Sequence, residues 1–254
     1  MTPPRPAWLL DLPLSAYPAV HHLQLQCIAA RRSRRLDRDL IIATEHPPVF
    51  TLGRRGGREN LLVSEKTLRD RGISVIPVER GGDITFHGPG QIVIYPILDL
   101  GVGRYKVVEL VEALEEAMVR TAADWGVIAR GDKKQRGAWV SGRKLGSVGI
   151  TIRRSISFHG LALNVNTDLT PFSWVNPCGI PGCTMTSLSL ETGKKISMPE
   201  VRRSLTAHLA GLLNLALIPV SRTAIDQMTA DNAKSSPTLQ KPEDFRVKAP
   251  RVKP

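Results

Sequence analysis

Two cysteines stand five positions apart in "SWVNPCGIPGCTM", residues 173–185, and a thiol in such a turn-rich stretch could attack an acyl carbon, bind a metal or fill core space. Asn176-Pro177 before Cys178 and Gly179 after it put that thiol on a constrained turn, where backbone N–H groups can face a developing oxyanion. Cys183 has a similar glycine-rich setting, so local chemistry does not choose between the two. A thiol needs a base or a cation to exist as thiolate near neutral pH, and the candidates are His87, His159 and Lys144. Structural zinc sites use closely spaced Cys/His pairs; neither a second cysteine pair nor a His-x-x-x-His partner is present, so no metal is expected.

A second candidate region is "RGGDITFHGPGQ", residues 80–91, whose glycines at 81, 82, 88 and 90 permit close approach of a ligand or another backbone. It is neither a Walker A loop nor a dinucleotide fingerprint, because no Gly-Lys-Ser/Thr follows and no G-x-G-x-x-G opens a helix. Seen alone it reads equally well as a tight turn. Lys144 opens "KLGSVGITI", a strand whose Gly146 and Gly149 keep one surface bare. It is either an ordinary strand-end cation or a desolvated lysine facing a pocket and able to shuttle protons.

The elements that must hold these groups follow from periodicity. Residues 15–34 carry a helical stripe at Ala16, Val20, Leu23, Cys27 and Ala30, which makes Cys27 a core residue. "LIIAT" (40–44) and "VFTL" (49–52) read as strands around the break at Pro47-Pro48. "ISVIPVE" (73–79) and "QIVIYPILDL" (91–100) are further strands, with the glycine segment between them a loop or broken hairpin. Residues 106–126 form a helix on Val107, Leu110, Val111, Leu114, Met118 and Ala122, stopped by Gly126. "GAWVS" (137–141), "KLGSVGITI" (144–152) and "ISFHGLALNV" (156–165) form a meander. A capping box at Ser197 and Glu200 opens a last helix that ends near Leu215. Strands clustered between separate helices predict an α+β fold with a mixed, largely antiparallel sheet.

At 254 residues the chain suits one main domain, expected over 1–228, and residues 229–254, rich in Pro and Lys and poor in large apolar side chains, read as a disordered basic tail. No apolar run is long enough for a membrane helix, and three cysteines make no disulfide scaffold, so a cytoplasmic location is expected. The formal charge of +12 predicts an acidic partner. Basic runs such as "RRSRRLDR" (31–38) lack the interleaved aromatics of single-strand binders, which argues against nucleic acid and for an acidic protein.

The chain resembles the octanoyltransferases of lipoate biosynthesis, which are related in fold to biotin and lipoate protein ligases. Five ordered blocks carry the resemblance: "EHPPVFTLG" (45–53), "RGGDITFHGPGQIVIYP" (80–96), "GRKLGSVGI" (142–150), "RRSISFHGLALNVNTDLTPF" (153–172) and "NPCGI" (176–180). It implies Cys178 as the acyl-accepting nucleophile, Lys144 as its partner and Cys183 as a bystander. It implies an acyl-binding surface of Arg80, Gly81, Gly82, Asp83, Ile84, Thr85, Phe86 and His87, with Ser147, Val148, Gly149, Gly160, Leu161 and Ala162. Val148 stands where the family often has leucine.

The implied reaction moves octanoyl from acyl carrier protein to a lysine on a lipoyl domain of a 2-oxoacid dehydrogenase or on the glycine-cleavage H protein. It needs no cofactor and no membrane. Arg31, Arg32, Arg34 and Arg35 are expected to help dock the acidic carrier. The nearest alternatives are an ATP-dependent ligase, which has no need of Cys178, and a transferase working between two lipoyl proteins; a basic nucleic-acid-binding module is the alternative from another class.

Overall fold

A computed structural model describes residues 3–101, 105–176 and 182–230. The strands, in chain order, are β1 (Arg5–Leu14), β2 (Asp39–Glu45), β3 (Val49–Leu52), β4 (Ser74–Pro77), β5 (Ile84–His87), β6 (Gln91–Ile97), β7 (Arg130–Gly131), β8 (Gly137–Val140), β9 (Arg143–Arg153), β10 (Ile156–Asn164) and β11 (Leu215–Pro219). The helices are α1 (Tyr17–Arg32), α2 (Glu65–Asp70), α3 (Val107–Asp124), α4 (Leu188–Thr192), α5 (Met198–Leu212) and α6 (Arg222–Thr229). Eight strands make a mixed sheet in the order β11-β1-β2-β6-β10-β9-β8-β7, and β4-β3-β5 make a second, small sheet. Only the β11-β1 and β1-β2 pairs of the large sheet are parallel. The α+β expectation therefore holds.

Both faces of the large sheet are covered, which is why its central strands are apolar without alternation. On one face Ile41, Ala43, Ile92, Ile94 and Leu163 pack against Leu110, Leu114 and Met118 of α3 and Leu205 and Leu209 of α5. On the other, Leu40, Ile42, Val93 and Phe158 pack against Leu23 and Cys27 of α1 and Ile225 of α6. Cys27 is fully buried, and burial pushes its thiol up to about 12, so it stays protonated and inert. A third cluster, around Phe50, Leu68, Phe86 and Phe172, lies under the small sheet.

The hairpins obey turn chemistry. Ser141 and Gly142 between β8 and β9, and Arg154 and Ser155 between β9 and β10, all have positive φ, as a two-residue turn matched to strand twist requires. The meander read from the sequence is therefore present, strand for strand.

Several details depart from the sequence reading. The prolines after β2 carry the chain from the large sheet to the small one, so β2 and β3 are not paired with each other. The glycine segment is not only loop: Ile84–His87 is a buried strand pairing with β3. Ser197 makes no side-chain cap, and α5 ends at Leu212 because Leu215 already belongs to β11. Among the described residues no helix is long and apolar enough to cross a membrane.

Candidate active site

A cleft between the two sheets is lined by Arg80–Thr85 and His87 entering and within β5, by Ser147–Gly149 of β9, and by Gly160–Ala162 of β10. All the acyl-surface residues expected from the sequence thus come together except Phe86. The Phe86 ring turns the other way, onto Phe50 at 5.3 Å and Phe172 at 5.6 Å between centroids, because successive side chains of a strand face opposite sides. Four residues not foreseen as acyl-surface positions complete the lining: Tyr17 at the start of α1, Val93 and Tyr95 of β6, and His159.

Strand register explains why distant blocks meet. Ser147, Val148 and Gly149 lie directly opposite Ala162, Leu161 and Gly160. The glycine pair permits two close backbone approaches. A Cβ on Gly160 would sit 1.9 Å from the Ile94 carbonyl oxygen, and one on Gly149 would sit 2.9 Å from that of Gly81. The space beside these glycines is therefore taken by neighbouring backbone, and the bare surface expected there is used for chain packing. Gly81 is held on β9 by its N–H, which donates to the Ile150 carbonyl at 3.1 Å.

Arg80 is buried, and its guanidinium donates to the Thr51 carbonyl at 2.6 Å, to the Thr51 hydroxyl and to the Gly81 carbonyl. Those contacts fix the glycine segment against β3. His87 Nδ1 lies 2.7 Å from Gln91 Oε1, an acceptor, so Nδ1 carries the proton. Burial, reinforced by His46, lowers the His87 pKa to about 3, so its ring is neutral at neutral pH and supplies no cation for a thiolate. His46 likewise faces Ser15 O at 2.7 Å and the Tyr95 hydroxyl at 2.8 Å, and burial lowers it to about 4. Burial raises the Tyr17 and Tyr95 hydroxyls. The tyrosines and the His46 and His87 rings of the inner cleft are thus neutral, and Arg80 is the buried cation beside them.

Lys144 is a second buried cationic side chain, on the neighbouring side of the cleft. It is 2% exposed, with Nζ 4.8 Å from the centroid of the Trp139 ring. It is no ordinary strand-end cation. It lines a cavity of about 550 Å³ that shares Gly81, Gly82, Asp83, Val148 and Gly149 with the cleft and adds Arg55, Lys134 and Arg136. Its main chain is held at both ends, N–H to the Thr184 carbonyl at 2.8 Å and carbonyl from the Thr186 N–H at 2.9 Å.

Cys178 lies outside the described residues, as do its neighbours 177 and 179–181. The chain on either side reaches the cleft. Asn176 donates to the Asn60 carbonyl at 2.9 Å, and the Asn60 amide donates to Asp83 Oδ2 at 2.9 Å. Thr184, six residues past Cys178, pairs with Lys144 as described. Cys183 is half-buried against the third apolar cluster.

The arginine run at the C-terminal end of α1 is not at the cleft. Tyr17 and Arg31 are fourteen residues apart on one helix, which is about 21 Å. Arg31 is committed to the buried Asp39 at 3.0 Å, and Arg35 donates to the Thr229 carbonyl at 3.1 Å. Arg31 and Arg35 thus make structural ties within the chain.

Residues 18–210 match the family model described as "Lipoyl protein ligase A/B catalytic domain". The chain belongs to that family. It is 49% identical over 208 residues to the octanoyltransferase of Desulfotalea psychrophila, covering 81% of this chain and 93% of the relative. It is 44% identical over 208 residues to the octanoyltransferase of Syntrophobacter fumaroxidans, covering 82% and 91%. With such relatives the protein is an enzyme of the acyltransferase class. The fold is shared with a bipartite lipoate protein ligase from Thermoplasma acidophilum at a TM-score of 0.70 and 16% identity, covering 89% and 90% of the two chains. It is also shared with a lipoate-protein ligase A solved with ATP, at 0.69 and 17%, covering 89% and 92%.

Proposed function

We propose that this lipoyl protein ligase A/B family member transfers an octanoyl group from octanoyl-acyl carrier protein to a lysine of a lipoyl domain or of the glycine-cleavage H protein. The transfer proceeds through a thioester on Cys178. The observation that carries the reading is the convergence of Arg80–His87, Ser147–Gly149 and Gly160–Ala162 on one cleft that adjoins buried Lys144.

The Cys178 thiolate adds to the carrier's thioester carbonyl, the carbon–sulfur bond to pantetheine breaks, and Lys144 gives its proton to the departing thiolate. The acceptor amine then attacks the new thioester; an amide forms, the Cys178 thiolate leaves, and Lys144 takes the amine's proton. The enzyme returns to its starting state. One thioester is exchanged for another, so no ATP is consumed, and amide formation drives the second half. Apolar Val93, Val148 and Leu161 supply the walls for the acyl chain, and Arg55 and Lys134 give an acidic carrier a charged approach on the Lys144 side.

The test is intact mass after incubation with octanoyl-carrier and no acceptor, in the parent, Cys178→Ser and Cys183→Ser proteins. A thiol-sensitive octanoyl adduct in the parent and Cys183→Ser, absent in Cys178→Ser, is expected. Product without any adduct means direct transfer; product only with free octanoate and ATP means a ligase.

A further inference from the structure

We propose that His21, Glu79 and His159 form a binding site for a late first-row divalent metal ion of the zinc kind, at the outer edge of the cleft. His21 comes from α1, His159 from β10 and Glu79 from the segment after β4. Their ligand atoms lie within 4.8 Å of one another. Glu79 Oε2 is 3.0 Å from His21 Nε2 and 3.5 Å from His159 Nε2. Ligand atoms around a tetrahedral ion bound at 2.0–2.2 Å stand about 3.3 Å apart, so the donors already have the spacing of a coordination edge.

A second observation points to a missing ligand. Buried polar atoms are nearly always paired. Among the described residues three buried side-chain atoms have no hydrogen-bond partner, and all belong to this spot: Nδ1 and Nε2 of His159, and Nε2 of Gln24. The two residues are joined, because Gln24 Oε1 accepts from the His159 N–H at 2.8 Å. His159 is 1% exposed, and its Nε2 points at Glu79 without the alignment of a hydrogen bond. An ion on that nitrogen would satisfy it.

The charge environment allows one ion of this class. Two imidazoles and a carboxylate suit zinc, copper or nickel better than magnesium or calcium. Arg153 opposes a cation, but its Nη2 holds Glu79 Oε1 at 3.1 Å and leaves Oε2 facing the histidines. Arg80 lies beyond, turned toward Thr51. Three protein ligands leave a fourth position for water or a small ligand. The ion would tie α1 to β10 beside Tyr17, another cleft residue. The proposal does not depend on the acyl-transfer reading.

The test is titration of the full chain with Zn²⁺ and Co²⁺ at neutral pH without chelating buffer. One equivalent is expected, with cobalt visible bands of nitrogen and oxygen ligation and a higher melting temperature with zinc. His21→Ala and Glu79→Gln are expected to weaken binding at least about tenfold, the usual scale for a disturbed site, while Cys183→Ser binds as the parent does. His21 is partly exposed, so its truncation tests the site without opening the core. Absence of a saturable equivalent, equal affinity in His21→Ala, or a sulfur-to-cobalt charge-transfer band would each overturn the assignment.

Discussion

Lys144 Nζ stands 4.8 Å above the Trp139 ring centroid, on neighbouring strands whose register shifts between Ala138 and Trp139. Trp139 is itself pinned, its Nε1 donating to the Gln135 carbonyl at 2.9 Å. A ring face beside a buried amine both attracts a cation and removes rotamers that would carry Nζ away from the shared cavity. Trp139→Leu is expected to lower kcat for octanoyl transfer about tenfold with little change in carrier KM, and Trp139→Phe to restore most of it. An unchanged kcat in the leucine variant would show that Trp139 does not position Lys144.

The same lysine is reached from the cleft by a buried chain of hydrogen bonds. His87 meets Gln91, the Gln91 amide donates to Asn164 Oδ1 at 2.9 Å, and the Asn164 amide donates to the Thr186 carbonyl at 3.0 Å. The Thr186 N–H in turn holds the Lys144 carbonyl. Gln91→Leu strands partners on His87, Phe86 and Asn164 and is expected to cost about 3 kcal/mol, read as a lowered urea midpoint with unchanged slope. A loss within about 0.5 kcal/mol would mean that the chain is relieved by water.

Acid should unfold the protein through its buried histidines. His46 and His87 have folded pKa values of about 4 and about 3, below the unfolded value near 6.5. Between those limits the unfolded chain binds more protons, so stability is full above about pH 6.5 and falls as the pH drops toward 4. From pH 7 to 5 each histidine should cost about 2 kcal/mol. Denaturant melts at the two pH values measure it directly, and His46→Gln should show a shallower fall than the parent. Parallel curves for the two proteins would contradict the assignment of His46 as a buried neutral group.

What the sequence made legible was local. α3 and the β9-β10 hairpin could be read because their periodicity or turn residues lie within one window, and Cys27 fell on a helical stripe. β1 escaped because Asp11 and Pro13 interrupt "AWLLDLPL", and β5 because glycines surround its four residues. β11 joins β1 across some 210 residues, a pairing no local pattern announces. The cleft's residue types were legible through the five blocks. How Tyr17, His46 and Tyr95 join His159, already a candidate base, in one inner polar ring was not, since each residue fits an ordinary core position until the strands bring them together.

Charge reversal at two separate places tests where an acidic carrier would dock. Arg55 and Lys134 line the Lys144 cavity, whereas Arg34 sits in the turn beyond the far end of α1. An acidic carrier steered by charge should therefore feel the first pair and ignore the second site. Arg55→Glu with Lys134→Glu is expected to raise the carrier KM about tenfold at low ionic strength, with the difference shrinking at high salt as screening shortens the field. Arg34→Glu should leave carrier kinetics at the parent value. If Arg34→Glu instead raised KM and the double reversal did not, the carrier would approach along α1, and the acyl chain would have to enter the cleft from the Tyr17 side.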